Sequence, residues 1–148
     1  MSNKFISITL SCFLLSLLIA APTGAQIPAG ATERAVIPFD FVVRGKTLPA
    51  GTYTLRRFEE MPRTLEIENP SAHSHIMFET EPLERRNVTR TDELVFHRYG
   101  DTYFLRQIRI AGEEEGLEIA TSRAERVLQN QSAKNNMNRQ ETLAIALN

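Results

Sequence analysis

Cysteine is nearly missing from this chain. Cys12 is the only one, so no internal disulfide can form and the paired cysteines of a structural zinc finger are excluded. Tryptophan is absent altogether. A dominant sign of charge is lacking as well: 17 basic residues stand against 18 acidic ones. A balance this close to neutral leaves no electrostatic footprint for nucleic acid or for an anionic membrane surface. Long apolar runs are confined to one place, "FISITLSCFLLSLLIA" at residues 5–20.

That run follows "MSNK" with its single lysine and precedes "APTGA", which ends in small residues. This is the layout of a secretory leader, with the expected cut after Ala25. An uncleaved anchor is the alternative, since the run only approaches spanning length. Cleavage would remove both Lys4 and Cys12, leaving a cysteine-free chain of 16 basic and 18 acidic residues. We therefore expect export to the periplasm or beyond, with no stable membrane association after cleavage. The division expected is a signal peptide at 1–25, a flexible lead-in at 26–32, a β-domain with a C-terminal helix at 33–131, and a polar linker and tail at 132–148.

The stretch "VVRGKTLPAGTYTL" at 42–55 ends its first half in Gly45-Lys46-Thr47, the close of a phosphate-binding loop. The first glycine of that motif would have to stand at position 40, where the chain has Asp40. Pro49 also forbids the helix that such a loop must open. The stretch reads instead as turns between "FDFVV" and "TYTLRR", two strand-like runs expected to form a hairpin with an elaborated connection. Further strand signals lie at 63–68, 74–80, 92–99, 102–111 and, more weakly, 117–120. Residues 81–91 read as a polar surface loop. The predicted fold class is all-β: an antiparallel hairpin or meander arranged as a small barrel or sandwich of about six to seven strands, with one short C-terminal helix.

Two units are specified more closely. Gly100-Asp101 suits a two-residue II′ turn, which sets His97 opposite Phe104, Phe96 opposite Leu105 and Val95 opposite Arg106. One face then carries Leu94, Phe96, Tyr103 and Leu105 toward the core. The other mixes Glu93, Val95, His97, Phe104, Arg106 and Ile108, a composition that calls for a cover. The cover expected is the helix opened by Ser122 and Glu125, which are spaced as a capping box. Its Ala124, Val127 and Leu128 form an apolar stripe. The terminal "ETLAIALN" is open to three readings: a docked helical turn, a strand or a frayed tail.

On the phrases "IPFDFVVRGKTLPAGTYTL" and "LVFHRYGDTYFL", with "SRAER" beyond them, the chain resembles a family of small exported β-rich proteins of soil bacteria, itself uncharacterised. The resemblance covers most of residues 33–128. It implies export and a β-fold, and it transfers no catalytic residue.

Candidate chemistry is sparse. Glu93, His97 and Arg106 share the second hairpin face. They read either as an anion pocket, with Arg106 as clamp and His97 as donor, or as a structural cross-strand pair of Glu93 with Arg106. His73-x-His75 on a strand would place two imidazoles on one side, half of a zinc site, with His97 a third ligand. Solvated histidines are the preferred reading. No G-x-S-x-G elbow occurs, "GEEEG" lacks the alternating oxygen ligands of a calcium loop, and no cofactor motif is found. Asn87-Val88-Thr89 matches a glycosylation acceptor. The leading expectation is a non-enzymatic exported domain that binds a protein or small-molecule partner. The rivals are a hydrolase built on His73, His75 or His97, and a lipocalin-like carrier of an apolar ligand.

Overall fold

A computed structural model describes residues 32–135 and 140–148. The expected leader and most of the lead-in lie outside the described residues. The described chain begins with β1 (Thr32–Ile37), β2 (Phe41–Val43), β3 (Lys46–Leu48), β4 (Gly51–Arg57) and β5 (Thr64–Asn69). A 3-10 turn at Pro70–Ala72 leads to β6 (Ser74–Glu79), β7 (Glu81–Glu84), β8 (Glu93–Tyr99), β9 (Thr102–Arg109) and β10 (Glu115–Glu118). Helix α1 (Arg123–Asn135) and β11 (Glu141–Ala146) follow.

The all-β class holds, with two sheets and one helix among the described residues. One sheet runs β1-β4-β5-β6, all antiparallel. The other runs β11-β8-β9-β10-β7, with β2 laid parallel on β9 and β3 paired to β2. The sheets are not closed into a barrel. They share one apolar interior, in which Ile37, Tyr53, Leu65 and Ile67 of the first sheet meet Phe41, Leu94, Phe96 and Ile108 of the second. The rings of Phe41 and Tyr53 meet edge to face at 5.1 Å, and those of Phe41 and Phe96 at 5.5 Å. Each such buried side chain contributes about 1.5–3 kcal/mol.

Pro38 ends β1 at Ile37, ahead of the "FDFVV" run. The expected hairpin of "FDFVV" with "TYTLRR" is therefore replaced by two nested pairings. β1 pairs with β4, Val36 facing Thr52, while β2 pairs with β3, Phe41 facing Leu48. Arg44 and Gly45 both take positive φ, 52° and 87°, as a type I′ connection requires. Lys46 stands on strand β3 and donates its Nζ proton to the His75 carbonyl at 2.8 Å. No helix follows it, so the turn reading replaces the phosphate loop.

One segment differs from expectation, and for another the strand is the one of the three open readings that holds. The polar loop at 81–91 contains β7, whose Leu83 and Pro82 face Gly116 and Leu117 of β10. Its alternation is too polar to announce a strand because it forms the exposed edge of its sheet. The expected tail within 132–148 supplies β11, paired along its length to β8, and Leu147 is buried in the core. The Arg34 and Asn148 backbones exchange two hydrogen bonds of 2.9 Å, linking β1 of one sheet to the end of the other.

Gly51 shows how closely the turn after Pro49 is packed. A Cβ at this position would lie 2.3 Å from Nδ2 of Asn69, a buried residue whose Oδ1 accepts the Ala72 N–H at 3.2 Å. Gly51→Ala is expected to destabilise the protein by about 1–3 kcal/mol through overpacking, read as a lower urea midpoint at unchanged m. An unchanged midpoint would show that Asn69 yields freely.

Candidate functional site

The hairpin of β8 and β9 carries the residues that the sequence singled out. Gly100 takes φ 61° and Asp101 a negative φ, the II′ pattern. The ladder runs as expected from Tyr99–Thr102 to Phe96–Leu105. There a bulge intervenes. The next pair is Val95 with Gln107, then Leu94 with Ile108 and Glu93 with Arg109. Arg106 is the extra residue, left out of the β8 ladder, and its carbonyl accepts the Ile119 N–H at 2.8 Å instead.

The bulge corrects two expectations. Ile108 turns from the outer face to the core, where it is fully buried. Glu93 lies opposite Arg109, whose Nη1 is 3.4 Å from its Oε2, and does not pair with Arg106. A local insertion of one residue exchanges the faces of everything beyond it.

Arg106 and His97 do meet, around a third residue. Glu125 of α1 is 2% exposed. Its Oε1 lies 3.5 Å from Nε of Arg106 and 3.7 Å from Nδ1 of His97. Nη2 of Arg106 donates to Glu118 at 2.8 Å, and Nη1 donates to the Ile119 carbonyl. The two residues read from the sequence as clamp and donor thus meet without Glu93, around the protein's own carboxylate. Tyr99 joins this outer cluster, packing on Phe104 at 6.0 Å and donating its hydroxyl to Gln140 at 3.0 Å. Burial, and then the Glu125 charge, hold the Tyr99 phenol pKa above its ordinary value.

Sequence reading missed Glu125 because the capping box assigned it elsewhere. Ser122 does cap the helix, its Oγ accepting the Glu125 N–H at 3.1 Å. The carboxylate turns inward to Arg106. The expected apolar stripe does not cover the hairpin: Ala124 and Val127 are exposed, while Glu125, Leu128 and Ser132 form the more buried face. Among the described side chains of the helix, the only fully buried one is thus a carboxylate.

The two other histidines are not brought to this place. His73 takes φ 50° as the residue ending the 3-10 turn, so it precedes the strand instead of lying on it. His75 is exposed on β6, in the other sheet from His97. Among the described residues, no group of three or more metal-binding side chains gathers.

A second cluster, unannounced by any motif, occupies the end of the sandwich where β1, the 85–92 segment and the β9–β10 connection converge. Six side-chain atoms among the described residues are buried without a hydrogen-bond partner, and five belong here: Glu33 Oε2, Arg85 Nη1, Thr89 Oγ1, Arg109 Nε and Glu113 Oε1. Burial, together with the adjacent Asp92 carboxylate, pushes the Glu33 pKa up to about 7. Burial, and then Glu115, raises that of Glu113. Burial, and then the Arg109 charge, lowers that of Arg85. Beside them a cleft of about 360 Å3 is lined by Arg85, Arg86, Asn87, Thr89, Gln107 and Arg109, among others. Unpartnered buried groups and displaced titrations concentrate at functional sites.

Comparison of the chain with protein families, with curated proteins and with solved structures finds no match.

Removing the Glu125 charge leaves Arg106 buried with Glu118 and a carbonyl. Glu125→Gln is expected to cost about 2–4 kcal/mol, short of the penalty for a wholly orphaned charge. The loss should appear in urea unfolding, together with faster amide exchange along 123–135. An effect below about 0.5 kcal/mol would mean that the helix is held by its apolar contacts.

Proposed function

We propose that this protein is an exported, non-enzymatic β-domain that binds a small ligand through an oxyanion group: a carboxylate, sulfate or phosphate. The site is the cleft between the 85–89 segment and β9. The observation that carries the reading is a surplus of donors. Arg85, Thr89 and Arg109 each line the cleft and each keep one buried polar atom without a partner.

The protein's own groups hold the rest of these side chains in place. Nη2 of Arg85 donates to the carbonyls of Asn87 at 2.9 Å and Glu113 at 3.3 Å. Glu93 engages Nη1 of Arg109 and leaves Nε free. Two guanidinium groups close enough to perturb each other repel, and an anion between them relieves that repulsion. Planar, forked donors suit a carboxylate or phosphate group bidentately. The acids nearby, Glu84 in the lining and Glu93 behind it, favour a ligand of low charge over a polyanion.

Catalysis is disfavoured by how the ionisable groups are spent. Arg106, Glu118, Glu125 and His97 face one another, and His75 and His97 lie on separate sheets with His73 on neither. A carrier role for an apolar ligand is disfavoured by the filled interior around Phe41, Tyr53 and Phe96. Export rests on the leader-like pattern of residues 1–25.

Calorimetric titration with succinate, sulfate and phosphate tests the reading. At least one should bind, more weakly as salt is raised. Arg109→Gln should weaken that binding about 10- to 100-fold, the worth of one charge-assisted hydrogen bond. Absence of binding by all three anions, or equal binding by the variant, would refute it.

A further inference from the structure

β1 and the chain end after β11 meet along the seam that joins the two sheets. Arg34 of β1 exchanges its two backbone hydrogen bonds with Asn148 there. One residue away, the Leu147 N–H donates to the Asp92 carbonyl at 2.8 Å. The Asp92 carboxylate accepts the Ala111 N–H at 2.6 Å through Oδ1. Asp92 therefore ties three segments together: the start of β8, the β9–β10 connection and the chain end. Glu33, the neighbour of Arg34, brings its carboxyl within electrostatic reach of that of Asp92, and its Oε2 is buried with no hydrogen-bond partner.

We propose that Glu33 and Asp92 form a proton-operated catch on this seam, shut while the two carboxyls share a proton and loosened when both are ionised. Two carboxylates in contact cannot both hold charge without repulsion, and one shared proton turns the repulsion into a hydrogen bond. Among the described residues, no ion pair joins a cation to either carboxyl. Across β4 the residue facing Glu33 is Leu55. From the β9–β10 connection, Glu113 faces Asp92 and adds negative charge, while Arg57 and Arg85 act on Glu113. From β9, Arg109 is engaged by Glu93.

The direction follows from which form binds the proton. The shut seam holds a proton on Glu33 up to about pH 7, whereas an opened seam releases it near the ordinary value of 4.5. Acid therefore favours the shut form. Raising the pH from about 5 to 7 progressively favours opening, and above that range the effect levels off. The same motion reaches the cleft, because Ala111 bridges to Thr89 and the Gly112 N–H donates to the Thr89 carbonyl at 3.0 Å. The catch does not depend on any ligand being bound.

Two measurements on the unliganded protein test it. Carbon-detected titration should place the Glu33 midpoint near 7. Amide protection at Arg34 and Leu147, corrected for intrinsic exchange, should fall by about one to two orders of magnitude between pH 5 and 7. Glu33→Gln keeps a donor toward Asp92 without the titration, and its protection should stay flat. Should that variant fail to fold, Asp92→Asn retains the acceptor for Ala111 and should lower the Glu33 midpoint without bringing it to the ordinary value, because burial still raises it. A wild-type midpoint near 4.5, protection independent of pH, the same fall persisting in Glu33→Gln, or an unmoved midpoint in Asp92→Asn would each overturn the proposal.

Discussion

Arg106 interrupts an otherwise regular ladder, and the rest of the second sheet is arranged around that interruption. With the bulge, Ile108 enters the core beside Leu94, and Glu93 comes to face Arg109. A regular ladder would have put Ile108 on the outer face and set Glu93 against Arg106. A buried guanidinium with no carboxylate has no stable place in such a sheet. Here it is met by Glu118, Glu125 and the Ile119 carbonyl. The bulge thus serves three ends: it fills the interior, it fastens α1, and it delivers Arg109 to the charged end of the sandwich.

Local chemistry in the sequence led to much of the architecture. The Gly100-Asp101 turn set the register correctly as far as Phe96 and Leu105, and Ser122 capped the helix as its spacing required. The bulge left only a faint mark: "FLRQIRI" contains no glycine, but Arg106 and Gln107 stand together between Leu105 and Ile108, so the apolar positions shift from odd to even numbers there. β7 and β11 were obscured for a different reason. Both are edge strands with mostly exposed side chains, so the period-two pattern that identifies a half-buried strand is weak in them.

The candidate sites divide in the same way. His97 and Arg106 were legible because one short hairpin carries both. Their actual partner, Glu125, has a second and more local explanation as a capping residue, and that explanation concealed it. The charged end was invisible to sequence reading. Glu33, Arg85, Thr89, Asp92, Arg109 and Glu113 come from distant segments, and only the meeting of β1 with the chain end and of β7 with β10 assembles them. The contrast between the clusters is chemical. Around Arg106 most donors and acceptors face one another, whereas the charged end keeps several groups buried and uncommitted.

The register of β8 on β9 underlies all of this, and a pair of double-mutant cycles measures it most directly. One cycle couples Glu93 with Arg109, the other Glu93 with Arg106, both read by urea unfolding. The bulged ladder predicts a coupling of about 0.5–1 kcal/mol in the first cycle and none resolvable in the second. Coupling of Glu93 to Arg106 without coupling to Arg109 would restore the unbroken ladder, return Ile108 to the outer face and remove Arg109 from the cleft.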